Sequence, residues 1–88
     1  MAREDADVTV ERVQTGIRLE KRLLKVLKAL AEYRDVTLGD LVEGIVLHSF
    51  EGKTPFEKAT LKHIEDLKRI YGLTVSAGDS HRLKEKRG

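Results

Sequence analysis

At 88 residues and without a single Cys, the chain is one domain at most and has no disulfide, thiolate metal site or cysteine nucleophile. So short a domain buries little surface alone, which makes a partner subunit the natural source of the missing core. The formal charge of +2 does not by itself argue for nucleic acid, no run approaches the roughly 18 apolar residues of a membrane span, and the acidic start lacks a signal peptide's apolar stretch, so a cytoplasmic chain with no membrane partner is expected.

Residues 1–11 carry no core pattern and are predicted to form a flexible acidic arm. From Val13 the pattern alternates. Val13, Thr15, Ile17 and Leu19 fall on one side, and Arg12, Gln14, Gly16 and Arg18 on the other. Period two with β-branched residues on the inner side predicts a half-buried strand. The rest of the chain offers no second strand, so the expected mate is the same strand of another copy, antiparallel about a two-fold axis.

A first helix is predicted from about Glu20 to Arg34, with Leu23, Leu24, Val26, Leu27, Leu30 and Ala31 as a wide apolar stripe. Arg34-Asp35-Val36 breaks it without Gly or Pro. Thr37 then caps a second helix, with Asp40 as the acidic member of a capping box. Leu38, Leu41, Val42, Ile45, Val46 and Phe50 recur along it at spacings of three and four, and Gly52 is its expected C-cap. Gly44 has two readings, close helix approach or a tolerated interruption. Thr54 and Pro55 suit the N-cap and first position of a third helix, striped by Phe56, Thr60, Ile64, Leu67 and Tyr71 and closed by Gly72. The division expected is an arm over 1–11, a core over 12–52, an additional helix over 53–72 and a largely disordered tail over 73–88.

Charge is unevenly spread. The arm is net negative through Glu4, Asp5, Asp7 and Glu11, whereas residues 12–28 hold Arg12, Arg18, Lys21, Arg22, Lys25 and Lys28 against Glu20 alone. A solvated helix face is the plain explanation of such a block.

The stretch VQTGIRLEKRLLKVLKALAEYRDVTLGDLVEGIVLHSF resembles the ribbon-helix-helix repressors of the Arc, MetJ and CopG type. The resemblance covers less than half of the chain and rests on a pattern of apolar positions. It implies a mostly α fold in which one short strand pairs across a homodimer, followed by two core helices, here with a third C-terminal helix added. It further implies that the paired strands enter the major groove of double-stranded DNA, a use of strands known for Arc and MetJ. The base-contacting positions would be Gln14, Gly16 and Arg18. Arg reads guanine and Gln reads adenine in bidentate fashion. Gly16 departs from the family, which generally has a polar side chain there.

The start of the second helix, Thr37, Leu38 and Gly39, is expected to hold a phosphate on free N–H groups, with Arg12 as a further phosphate contact. Asp40 argues equally for a plain helix cap. Lys21 and Arg22 are either phosphate contacts or solvated. The acidic arm would weaken DNA binding unless displaced. His48, His63 and His81 have no compact ligand spacing, Ser49 and Ser80 have no base or elbow motif, and no phosphate-binding loop occurs, so no enzyme, metal or cofactor is expected. The function expected is a sequence-specific, repressor-like DNA-binding regulator. The alternative is an antitoxin or interaction module whose C-terminal helix binds a second protein.

Overall fold

The computed structural model describes residues 7–86. Helices α1 (Lys21–Arg34), α2 (Leu38–Phe50) and α3 (Lys58–Tyr71) follow one another, with a 3-10 turn at Ala77–Asp79. No helix among the described residues is long and apolar enough to cross a membrane.

Local chemistry sets the helix ends. Glu20 caps α1, its carboxylate accepting the Leu23 N–H at 2.7 Å. Thr37 caps α2, its hydroxyl oxygen accepting the Asp40 N–H at 3.0 Å. The reciprocal bond from the Asp40 side chain is not formed, so the predicted capping box is half made. All three helices close alike. Asp35, Gly52 and Gly72 stand at φ of 58°, 71° and 71°. The next N–H then reaches back five positions, Val36 to Ala31, Lys53 to His48 and Leu73 to Lys68. Such closures satisfy the carbonyls of the last turn. They also explain the break after α1, because a short polar side chain such as Asp35 tolerates left-handed backbone.

The third helix starts later than the Thr54-Pro55 signal predicts. Its N-cap is Glu57, which makes no side-chain cap bond, and Pro55 and Phe56 form a bend instead. The bend lets Phe56 pack against the core. Burying an aromatic ring outweighs one more turn of helix.

The core is small. Val26, Leu30 and Ala31 of α1, Leu41 of α2 and Leu67 of α3 are buried, with Leu27, Ile45, Phe56, Ile64 and Leu73 packed on them. Helix α1 is central and packs on both α2 and α3. The stack of Tyr33 on His63, with centroids 3.9 Å apart, adds a second link between α1 and α3. Around Gly44 there is open space rather than a close helix approach.

The ribbon-helix-helix fold class with its intersubunit β-ribbon is overturned. Among the described residues there is no strand, and positions 13–19 have no regular secondary structure. The expected inner residues Val13 and Ile17 are 84% and 72% exposed. The architecture is three helices preceded by an irregular segment. The physical reason is where the core is completed. Helix α3 and its lead-in add Leu67, Ile64 and Phe56 to the core formed by α1 and α2, so the core closes within one chain. Val13, Thr15 and Ile17 are not part of that core and stay exposed. An alternation seven residues long, with neither cover nor a backbone mate, does not make a strand.

Candidate functional site

The segment before α1 carries the base-contacting positions expected from sequence. Gln14, Gly16 and Arg18 are all exposed. A side chain at Gly16 would meet nothing within 4 Å, so neither packing nor backbone conformation within this chain requires a glycine there. Two forked ion pairs hold the segment at its ends. Arg12 donates from Nε and Nη2 to the Glu43 carboxylate of α2, at 2.8 and 2.7 Å. Arg18 donates from Nε to Glu85 Oε1 at 3.1 Å and from Nη2 to the other oxygen. A planar guanidinium suits a carboxylate and a phosphate for the same reason, two parallel N–H groups facing two oxygens.

Three of the expected phosphate contacts come together. Arg12, Thr37 and Gly39 line one open groove of about 720 Å³ between the N-terminal segment and the start of α2. Leu38 is half-buried beside it, and the N–H groups of Leu38 and Gly39 have no acceptor among the described residues. The same groove also contains Glu11, Asp40 and Glu43, which outnumber its one cation. Thr37 is engaged as the helix cap. The hydrogen bond from Arg12, only partly offset by desolvation and reinforced by its charge, holds the Glu43 carboxyl below its ordinary value; the same bond raises the Arg12 guanidinium. A phosphate entering here must displace Glu43 from Arg12. Gln14, Gly16 and Arg18 do not line this groove.

A more open cationic surface lies on α1. Lys21, Lys25 and Lys28 stand at i, i+4 and i+7, hence on one helical face, and all three are exposed. None of them makes an ion pair among the described residues, in contrast to Arg12 and Arg18. Arg22 points elsewhere and donates to the Gly72 carbonyl at the end of α3, at 3.1 Å. Lys25 and Lys28 were not among the residues expected to touch DNA, although the helical spacing that joins them to Lys21 is visible in the sequence. Among the described residues no three His, Asp or Glu side chains converge as a metal site would need. His48 instead turns its Nδ1 to the Gly44 carbonyl within α2, at 2.7 Å.

Comparison with protein-family models, curated proteins and solved structures finds no match to the chain.

Proposed function

We propose that the chain is a homodimeric, repressor-like transcriptional regulator that binds double-stranded DNA in the cytoplasm. The observation that carries this reading is the run of exposed cations from Arg18 through Lys21, Lys25 and Lys28, three of them without an ion pair among the described residues, directly after the exposed Gln14 and Gly16. Unpaired, solvent-facing ammonium groups on one helix face are what a row of phosphates requires, and releasing counterions there drives binding. In this reading Gln14 and Arg18 touch base edges while Gly16 leaves room between them. The α1 lysines fix the backbone, and Arg12, Thr37, Leu38 and Gly39 take a further phosphate once Glu43 yields. The reading needs no paired strand: an irregular arm can lie along a groove.

The homodimer is supported by α2. Its sequence is the most apolar of the three helices, yet only Leu41 is buried, and Leu47 and Phe50 are 60% and 82% exposed. Large apolar side chains adjacent on one helix end form the kind of patch that marks association.

The test is anisotropy titration against duplexes selected from a random pool, at several salt concentrations. Salt-dependent binding is expected. Changing Gln14→Ala and Arg18→Ala together should cost about 1–3 kcal/mol for each bidentate base pairing removed. Undiminished affinity in the double variant would overturn the base-contact assignment. A second reading, an interaction module of the antitoxin type, draws on α3, where Ile70 is 70% exposed. A co-purifying protein that no longer binds after Ile70→Asp would favour it.

A further inference from the structure

We propose that the C-terminal segment 82–86 is a second wall of the DNA surface, laid beside Arg18 so that Lys84 and Lys86 contact the phosphates flanking the base that Arg18 reads. The inference rests on the DNA-binding reading above and extends the interface to a part of the chain 67 positions away.

Three observations converge. First, Glu85 takes the Arg18 guanidinium in a fork, which brings Lys84 and Lys86, its neighbours on either side, next to the base-reading arginine. Second, the path to that contact makes contacts of its own. Leu73 packs on the core, and the turn at 77–79 carries a capping box in which the Ser76 N–H donates to Asp79 at 2.9 Å. Arg82 then donates to the Gly78 carbonyl and to Asp79, each at 3.1 Å. Third, Arg22 binds the Gly72 carbonyl, so the tail departs from the same end of α1 that carries Lys21. Lys84 and Lys86 are exposed and make no ion pair among the described residues.

The chemistry gives the two kinds of residue opposite signs. The Glu85 carboxylate occupies on Arg18 the fork that a guanine edge would take, and so competes with DNA. Lys84 and Lys86 neutralise phosphates and so attract it. A tail remote from the DNA would show neither effect.

Both effects are measured on the full chain by anisotropy with one fixed duplex, from about 50 to 200 mM salt, the range over which phosphate contacts are most apparent. Lys84→Gln with Lys86→Gln should weaken binding several-fold at the low-salt end and reduce the slope of log K against log salt by up to about 2 for each protomer bound, about 4 for a dimer. Glu85→Gln should tighten binding by about two- to five-fold, the scale of one exposed ion pair. The substitutions are at exposed positions, and circular-dichroism melts matching the parent confirm that the fold is kept. If the parent binds with a clear salt slope and neither variant moves it, or the signs are reversed, the tail is not part of the interface and the DNA-binding reading stands. If the parent does not bind duplex DNA at 50 mM salt, both fall together.

Discussion

Three residues occupy the same backbone position at the ends of the three helices, and they differ in how well they suit it. Gly52 and Gly72 take left-handed φ without cost, whereas Asp35 takes it with a Cβ. Replacing Asp35→Gly should therefore stabilise the chain by about 0.5–1 kcal/mol, the relief of backbone strain less the extra freedom gained by the unfolded chain. Gly52→Ala should destabilise it by about 1–2 kcal/mol, although its Cβ would meet no neighbour within 4 Å. Thermal melts check both, since about 1 kcal/mol moves Tm by about 4–8 °C in a domain of this size. Two shifts of the same sign would show that packing, not φ, sets the helix ends. Glu43 makes a separate prediction. Its carboxyl is held below the ordinary value of 4.5 chiefly by its hydrogen bond to Arg12. A depressed carboxylate contributes its stabilisation above the unfolded value and loses it as pH falls through the folded one. The Arg12–Glu43 link should thus persist through neutral pH and open only in acid below about pH 4.5. A carbon-detected NMR titration of Glu43 should show its midpoint rise in Arg12→Ala; an unmoved midpoint would mean the pair does not persist in solution.

Helices were the most legible elements, because their signals are local. Glu20, Thr37, Gly52 and Gly72 mark real helix boundaries, and the stripe Val26, Leu30, Ala31 is the buried face of α1. What the sequence hid is decided by distant residues. Whether Val13 and Ile17 find apolar cover depends on α3, which lies beyond position 57, and the alternation cannot report that. The start of α3 lies later than its sequence signal for a like reason, since the pull of the core on Phe56 overrides a good Thr-Pro signal. At the site, exposure of Gln14 and Arg18 was legible from polarity, but the clasp of Arg18 by Glu85 was not, because nothing in the local pattern links positions 18 and 85. Helix α2 makes the contrast between legible pattern and actual burial testable. Leu41→Ala should cost about 2–5 kcal/mol, as for other buried Leu side chains. Phe50→Lys with Leu47→Lys should leave the melt of the single chain nearly unchanged while lowering self-association in sedimentation experiments. If the lysine variant instead unfolds the chain, the α2 face belongs to a folding core shared between subunits rather than to a docking surface.

At the scale of the whole molecule, the described residues span 53 × 31 × 25 Å with a radius of gyration of 15.1 Å. A compact chain of this length would have about 12 Å. The excess fits a small three-helix body with exposed segments leading into and out of it, tied to one another by Arg18 and Glu85. Such a body has little stability in reserve, because only five hydrophobic side chains are buried among the described residues. One of these, Leu67, comes from α3, and Ile64, Phe56 and Leu73 beside it also lie beyond Gly52. Cutting the chain after Gly52 therefore strips α1 of one of its two neighbours and exposes Leu30, the most deeply buried residue, along one side. The truncated chain should lose its cooperative melt and much of its helical circular dichroism, since an isolated helix of about 14 residues is marginal in water. The full chain in the same buffer should melt in one step. Retention of a cooperative transition by residues 1–52 would show that the first two helices find their missing cover in a second copy. It would also make α3 an accessory rather than the element that completes the core. Running the truncated chain at two concentrations separates these cases, because only a melt that depends on a second copy shifts with concentration.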